Sequence, residues 1–509
     1  MFFFRYEAIK LVIFTAIFFI STFFIEIILN YNINLILVGS KIKLGDLVFN
    51  TIIILLFSFF YRRLFLIFWI FISVLFHIIN QYGRITKDIF TTILNTNKQE
   101  TLEYLLYSVP LTDYLTIFGS ILAGLFYTFY IVNPIYIKYK NTKIFPKINI
   151  YLSIIPLFFI YIATTQVSKS INRYFKDIIY SINFTTESTL TKKSTIQITK
   201  IHPTKYNTYV VIIGESNIKN YMSLYGYKEK TTPFFDKIPK IYIDGFIAPA
   251  NSTEKAIQLY FSPSKDFQII NPANNIINLS KKAGYKTYYL SSNSHINPNS
   301  ISGSIALNSD YVFDIIGYGD FALVDKIKSA INYKDKKIVF IHIYGNHVDA
   351  CTRLKNDKYP LLYNEYPKVL NCYLSSINKV DYFISLVYKM LQESNQTFSL
   401  VYFSDHAQSI TKSTKDNNAY TIGRIFNDLQ VYEVPFILTS SDTKTTKKYT
   451  VLRSGLRFVD FFAKWIGVET NITDNKFDIL KSKADKNIKA ISFQGNIIDY
   501  KNMHYIKSK

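Results

Sequence analysis

Five apolar runs crowd the first third of the chain, and their length and apolarity are typical of membrane-spanning helices. They are Ile9–Leu29, Leu47–Phe60, Leu64–Asn80, Tyr114–Val132 and Ile148–Thr164. The hydrophobic content of all 509 residues, 49%, is ordinary for a globular protein, so the uneven distribution carries the information. We therefore expect a five-helix transmembrane domain within residues 1–167.

The basic residues of the short loops predict which way this domain faces, because cytoplasmic loops are enriched in Lys and Arg. With the N-terminus inside, the cytoplasmic side receives Arg5, Lys10, Arg62, Arg63, Lys138, Lys140, Lys143 and Lys147. The loop between the third and fourth runs is nearly balanced in charge. An odd number of spans then delivers the remainder of the chain to the outer side, which in a bacterium is the periplasm.

Charge and cysteine usage exclude some classes of protein and leave others open. The formal net charge is +22, but the lysines are scattered, with no dense basic run joined to an aromatic stacking platform. We therefore expect no nucleic-acid partner, and assign the charge to an anionic membrane surface. The two cysteines, Cys351 and Cys372, suit a disulfide in an oxidising compartment. Two unpaired thiols remain the alternative.

Beyond the apolar third, residues 168–207 are polar and predict a linker, either a plain spacer or an amphipathic helix lying along the bilayer. Residues 208–509 alternate short apolar runs with helix-like stretches, which predicts an α/β domain with a mainly parallel sheet. The runs are Tyr209–Ile213, Thr287–Leu290, Lys337–Ile343, Phe398–Phe403 and Val434–Leu438.

Polar residues follow three of these strands directly. Glu215 comes after the first, His347 after the third, and Asp405 and His406 after the fourth. Because ligands of open α/β sheets bind beyond the carboxyl ends of the strands, these side chains should meet at one edge. Carboxylates and imidazole are ligands that zinc or manganese prefers. A lone Glu or an Asp–His dipeptide would be a weak signal, but their joint placement predicts a metal site.

The nucleophile is less evident from spacing. No Gly-x-Ser-x-Gly elbow is present, which disfavours one class of serine hydrolase. The cysteines lack an activating partner nearby in sequence. A hydroxyl activated by a metal ion remains as the hypothesis.

Three stretches together resemble the motifs of bacterial phosphoethanolamine transferases, membrane-anchored members of the alkaline phosphatase and sulfatase superfamily. The first runs from Gly214-Glu215-Ser216 to Tyr225-Gly226-Tyr227, with Thr231-Thr232-Pro233 following it. The second is His342-Ile343-Tyr344-Gly345-Asn346-His347, and the third is Phe403-Ser404-Asp405-His406. The resemblance extends to the layout of five spans followed by a periplasmic catalytic domain.

The resemblance implies roles for individual residues. Glu215, Asp405 and His406 would be zinc ligands, and Thr253, in a loop ahead of Phe261-Ser262, would be the metal-bound nucleophile. The alternative for Thr253 is a helix N-cap without chemistry. His347 would contact the phosphoryl group as a catalytic residue. Asn346 would bind substrate, and His342 would do the same or remain a core histidine.

One departure from the family pattern concerns the residues after the Asp–His pair. Relatives continue with Gly-Glu and a later histidine, whereas this chain continues with Ala407 and Gln408 and has no histidine before His504. A histidine that binds substrate, or one that supports the metal ligands from behind, is therefore expected to be missing.

The implied activity is transfer of phosphoethanolamine from phosphatidylethanolamine to a lipopolysaccharide acceptor (lipid A or core) or a periplasmic glucan. The alternatives are a phosphoglycerol transferase of the lipoteichoic acid type and a non-catalytic binding or assembly homologue. A sulfatase is disfavoured, because no Cys or Ser stands in a C/S-x-P-x-R context.

Overall fold

The structure is a computed structural model. In the first third it describes residues 62–67, 69–70, 73–74, 101–102, 105, 109 and 111–139. It then describes residues 192–505 apart from 294–295, 297, 299, 316, 413–419, 424–426 and 494. The chain divides into two compact units, one comprising Met1–Phe90 and Tyr104–Ser181 and the other Thr91–Glu103 and Ile182–Lys509.

The described part of the first unit is helical. Helix Leu111–Phe126 continues through a π-helical stretch, Tyr127–Val132, into helix Asn133–Tyr139. Within it, Leu111–Tyr130 is the one helix among the described residues that is long and apolar enough to cross a membrane. This segment corresponds to the fourth predicted span. The first, second and fifth predicted spans lie outside the described residues, and the third is described only in part.

An eight-stranded sheet forms the centre of the second unit. Its strands, numbered along the chain, are β2 Thr208–Gly214, β3 Ile241–Ile247, β6 Lys286–Ser291, β7 Tyr311–Asp314, β8 Lys337–His342, β9 Phe398–Ser404, β12 Phe436–Ser440 and β13 Lys447–Ser454. Within the sheet they lie in the order β13-β3-β12-β9-β2-β8-β6-β7. Only β12 runs antiparallel to its neighbours. The mainly parallel α/β sheet predicted from the sequence is confirmed.

The five predicted strands correspond to β2, β6, β8, β9 and β12, and the structure adds three that the apolar pattern did not indicate. β3 contains Asp244 and Gly245, β7 is short and partly exposed, and β13 is mostly exposed along its first half. These strands lie near or at the two ends of the sheet. Strands there bury less of their surface, so their sequences show less of the continuous apolar pattern.

Shorter strands pair outside the main sheet as β1 Ile198–Ile201 with β14 Val468–Thr470, β4 Ser264–Lys265 with β5 Gln268–Ile269, β10 Ser409–Lys412 with β11 Tyr420–Gly423, and β15 Lys489–Ile491 with β16 Ile497–Asp499. β1 falls within the predicted linker. The described part of that linker, residues 192–207, thus contributes a strand to the second unit. Residues 168–191, where an interfacial helix was an alternative, lie outside the described residues.

The described helices of the second unit are Pro233–Lys237, Thr253–Phe261, Ile276–Lys282, Ile301–Ala306, Val324–Asn332, Ala350–Asn356, Lys368–Glu393 and Phe458–Trp465. Lys368–Glu393 has an extensively buried face, with Tyr373, Phe383 and Val387 fully buried. A disulfide between Cys351 and Cys372 joins it to Ala350–Asn356. Of the two sequence alternatives for the cysteines, the structure has the disulfide.

Strand β2 is the scaffold of the site, because all seven of its residues are buried and it lies between two parallel neighbours. Its continuous Val and Ile run suits a strand that is covered on both faces. Ile213 is level with His342 of β8, and Gly214 is level with Ser404 of β9. The register therefore brings the residues that follow the three strands to one edge of the sheet.

Asp381, on helix Lys368–Glu393, predicts a pH dependence of folding. It is 2% exposed and accepts hydrogen bonds from the backbone N–H groups of Phe234 and Phe235. Burial raises the pKa of the Asp381 carboxyl from 3.8 to about 7. The folded protein therefore keeps a proton that the unfolded chain has lost, and stability should fall as pH rises from about 4 to 7.

This contribution amounts to at most about 1.4 kcal/mol per pH unit. We expect thermal unfolding of the full chain in detergent, followed from pH 5 to pH 7, to give a steeper loss of melting temperature for the wild type than for Asp381→Asn. The difference between the two curves removes the effect of other titrating groups. Parallel curves would contradict the assignment.

Candidate metal centre

Glu215 directly follows β2, and the next residue, Ser216, has an unusual backbone conformation. Ser216 has φ 58°, in the left-handed region that non-glycine residues seldom adopt. Its carbonyl accepts a hydrogen bond from Tyr373 Oη (2.8 Å), and its N–H donates to Asp405 Oδ1 (3.3 Å). Its hydroxyl donates to Glu215 Oε1 (2.5 Å). These contacts stabilise a strained turn, of the kind that functional sites retain.

Asp405 and His406 follow β9, and both are 0% exposed. The backbone N–H of His406 donates to Asp405 Oδ1 (2.7 Å), whereas Asp405 Oδ2 has no hydrogen-bond partner. On the imidazole, Nδ1 lies 2.9 Å from the carbonyl oxygen of Ala407, which can only accept. Nδ1 therefore carries the proton, and Nε2, 3.3 Å from Glu215 Oε1, presents a lone pair to the carboxylates.

Thr253 begins helix Thr253–Phe261 and turns its side chain toward this cluster. Ser252 occupies the N-cap position, but its side chain accepts no capping hydrogen bond. Thr253 Oγ1 donates to Glu215 Oε2 (2.8 Å) and lies 3.3 Å from His406 Nε2. Of the two sequence alternatives, the hydroxyl adopts the geometry of a residue in the site and not that of a cap.

The charge of the cluster requires compensation. Burial raises the pKa of the Asp405 carboxyl well above its usual value, and the nearby Glu215 carboxylate raises it further. The ligand atoms of Glu215, Asp405 and His406 lie within 4.8 Å of one another, and this is the group that suits a metal ion among the described residues. Zinc binds oxygen and imidazole nitrogen at about 2.0–2.2 Å, so one ion can reach all three. A cation there would also engage Asp405 Oδ2, which accepts no hydrogen bond and lies 3.5 Å from His406 Nε2.

His342, the last residue of β8, is buried and uncharged. Burial lowers the pKa of its imidazole from 6.5 to about 4. Its Nδ1 lies 3.2 Å from Tyr289 Oη, and its Nε2 has no hydrogen-bond partner. The choice between a substrate contact and a core histidine stays a prediction for His342.

His347 and Asn346 follow on the same segment and differ in their surroundings. His347 is half-buried, with its ring against Tyr344 and Nδ1 2.6 Å from its neighbour's carbonyl oxygen. Asn346 is buried and donates from Nδ2 to Ser376 Oγ (2.7 Å), and its backbone N–H donates to the Glu215 carbonyl (3.1 Å). Its substrate-binding role stays a prediction, and its contacts are those of a residue that fixes the segment.

Gly345 allows this segment to pass close to Glu215. Its φ is +44°, and a Cβ at this position would lie 3.3 Å from both the backbone N and the backbone O of Glu215. A larger residue would be strained and would press on the backbone that carries Glu215.

Asn293 is a site residue that the sequence analysis missed. It is buried, it follows β6, and its Nδ2 donates to Glu215 Oε2 (2.9 Å) and to the carbonyl of Ile343 (3.3 Å). The strand-end rule that identified Glu215 applies equally to β6, so the signal was present. It was hidden because Ser and Asn after a strand are ordinary turn residues.

The amino-acid sequence is similar to those of known proteins. The sulfatase family model matches residues 207–468. Phosphoethanolamine transferase OpgE of Escherichia coli is 27% identical over 461 residues, covering 83% of each chain. A putative phosphoethanolamine transferase of Haemophilus influenzae is 29% identical over 350 residues, covering 64% of this chain and 69% of the relative. The resemblance inferred from the motifs is confirmed.

One solved structure aligns with this chain and is similar to it in fold. The integral membrane lipooligosaccharide phosphoethanolamine transferase A of Neisseria meningitidis aligns over 92% of this chain and 99% of its own, with a TM-score of 0.59 and 15% identity. At that identity the similarity concerns the fold.

The buried Asp405 carboxyl gives a direct test of the metal centre. We expect Asp405→Asn to weaken zinc binding at least 100-fold, because it removes a charge and a ligand from a buried set. Competition with a chromophoric chelator measures the affinity. Asp381→Asn is the matched control, since it replaces another buried carboxyl that lies outside the site, and should stay within threefold of the wild type. Equal affinities in the two variants would exclude Asp405 as a ligand.

Proposed function

We propose that this chain, which belongs to the sulfatase family, transfers phosphoethanolamine from phosphatidylethanolamine to a lipopolysaccharide (lipid A or core) or a periplasmic glucan. One observation carries the proposal. The hydroxyl of Thr253 lies 2.8 Å from Glu215 Oε2 and 3.3 Å from His406 Nε2, within a buried group of metal-binding side chains. A relative named for this activity, aligned over 83% of the chain, supports the same choice.

Glu215, Asp405, His406 and the Thr253 hydroxyl would hold zinc. The bound ion would supply positive charge to a threonine oxygen losing its proton and to phosphoryl oxygens gaining charge. Three oxygen donors and one imidazole are compatible with manganese as well. The residues of this chain do the remainder of the work, which is to orient the nucleophile and the phosphoryl group.

In the first step Thr253 Oγ1 would attack phosphorus, forming a P–O bond to the enzyme as the P–O bond to diacylglycerol breaks. The threonine proton, which faces Glu215 Oε2, would pass by way of that carboxylate to the departing oxygen, so that diacylglycerol leaves as a neutral alcohol. In the second step the O–H oxygen of an acceptor hydroxyl or phosphate would attack phosphorus as the P–O bond to Thr253 breaks. The proton that the acceptor loses would go to Thr253 Oγ1, which restores the hydroxyl.

His347 and His342 are the groups we assign to the phosphoryl oxygens. If the Tyr289 hydroxyl donates to Nδ1 of His342, then Nε2 of that ring carries a proton and can donate to an anionic oxygen. His347, half-buried and oriented by Tyr344, would supply a second contact as a catalytic residue. These two would take the place of the downstream histidine that the sequence lacks.

The remaining features fit an envelope enzyme. A disulfide suits an oxidising compartment such as the periplasm. The helix Leu111–Tyr130 and the aligned integral membrane relative suit an inner-membrane anchor with a periplasmic catalytic domain. Anchoring would hold the site at the surface that contains its lipid donor. The complete donor set argues against a purely structural homologue.

Intact-mass analysis tests the nucleophile. After incubation of the zinc-loaded full chain with phosphatidylethanolamine, we expect one phosphoethanolamine adduct on the wild type and none on Thr253→Ala. Ser252→Ala is the matched control, because it removes the neighbouring hydroxyl, and should still form the adduct. An adduct that persists in Thr253→Ala and disappears in Ser252→Ala would move the nucleophile to Ser252.

The donor is tested separately by competition between lipids. With phosphatidylethanolamine and phosphatidylglycerol in equimolar mixed micelles, we expect diacylglycerol release to consume the first at least tenfold faster. Faster consumption of phosphatidylglycerol, with a phosphoglycerol adduct on Thr253, would identify the lipoteichoic acid type of transferase instead.

A further inference from the structure

Asp320 is a buried carboxylate that contacts the residues following β6 and β8, two neighbouring strands of the sheet. It is 0% exposed, and both of its oxygens are used. Oδ1 accepts hydrogen bonds from Ser292 Oγ (2.7 Å) and from the backbone N–H of Tyr344 (2.8 Å). Oδ2 accepts from the backbone N–H of Gly345 (3.2 Å). One carboxylate thus ties the residue after β6 to the residues after β8.

Lys379, on the buried face of helix Lys368–Glu393, balances the charge of this carboxylate. Its Nζ lies 2.8 Å from Asp320 Oδ2 and 2.8 Å from Asp357 Oδ2, and its side chain is 1% exposed. Burial disfavours the ionised form of Asp320, but the ammonium of Lys379 and the hydrogen bonds from Ser292 and Tyr344 together offset this and lower the pKa of that carboxyl. The contact therefore consists of an ionised group with charge-assisted hydrogen bonds, which are stronger than neutral ones.

We call the hydrogen bonds from Ser292, Tyr344 and Gly345 to Asp320 the clamp. The residues next to it in sequence contact Glu215. Asn293, directly after Ser292, donates to Glu215 Oε2, and Asn346, directly after Gly345, donates its backbone N–H to the Glu215 carbonyl. Movement of either strand end would change both contacts. Asp320 itself does not contact Glu215, Asp405 or His406 in any hydrogen bond among the described residues.

We propose that Asp320, with Lys379, is a positioning residue of the metal centre: it fixes the ends of β6 and β8 so that Asn293 orients the Glu215 carboxylate. The inference rests on the proposed function only in that the site binds zinc. Neither Asp320 nor Lys379 was singled out by the sequence motifs.

Asp357 provides a matched control, because it belongs to the same buried ion cluster but not to the strand ends. It accepts from Lys379 and from the backbone N–H of Phe321, and contacts neither Ser292 nor the Tyr344–Gly345 segment in the hydrogen bonds described. Asp320→Asn and Asp357→Asn each remove one carboxylate from the cluster.

The two variants should differ in zinc affinity. Residues that orient metal ligands typically contribute 10–100-fold in affinity, so we expect Asp320→Asn to weaken zinc binding about tenfold and Asp357→Asn less than threefold. Chelator competition on the full chain in detergent measures this without reference to turnover. Equal affinities in the two variants would overturn the proposal.

Ser292→Ala covers the case in which Asp320→Asn does not fold, since it removes one hydrogen bond to Asp320 without disturbing a charge. We expect a smaller loss of zinc affinity, about threefold, and a loss less than additive when Ser292→Ala is combined with Asn293→Ala. Full additivity would show that the clamp does not act through Asn293. Failure of the proposed function is distinguishable, because the wild type itself would then bind no zinc or form no adduct.

Discussion

Two carboxylates, Glu215 and Asp405, are removed from water at the ends of adjacent parallel strands, and the rest of the site is arranged around the cost of that burial. Like charges placed together in a low-dielectric interior cannot both remain ionised without compensation. Burial and the Glu215 charge raise the pKa of Asp405, and its Oδ2 lacks a hydrogen-bond partner. The imidazole of His406, with its Nε2 lone pair facing the carboxylates, and the hydroxyl of Thr253 complete the set of donor atoms. A bound cation would compensate the charge of this set.

The backbone around Glu215 is held in place by several contacts. Ser216 adopts a left-handed conformation, and a Cβ at Gly345 would press on the backbone of Glu215. Tyr373, on the long helix, donates a hydrogen bond to the carbonyl of Ser216. Strain of this kind persists only where surrounding contacts over-determine it. The buried Asp320–Lys379 pair constrains the ends of β6 and β8 in addition, since charge-assisted hydrogen bonds are stronger than neutral ones.

The sequence predicted the parts of the site that lie at the ends of apolar strands. β2, β8 and β9 are buried on both faces, so their Val, Ile and Phe runs are continuous and the polar residues after them stand out. Thr253 came from family resemblance, because no local pattern separates a nucleophile from a cap. Asn293 and Asp320 were missed for a physical reason. Asn293 lies at a strand end, but Ser and Asn after a strand are ordinary turn residues. Asp320 follows no strand directly, and its contacts join residues 24–59 apart in sequence, which single-sequence periodicity does not encode.

The most direct test of this account is the zinc-edge anomalous signal in crystals of the zinc-loaded protein. We predict a single peak at the end of β2, within about 2.0–2.2 Å of oxygen or nitrogen atoms from Glu215, Asp405, His406 and Thr253. A peak there that leaves Thr253 Oγ1 beyond bonding distance, or a peak bound by other side chains, would contradict the claim that the threonine is activated by the metal.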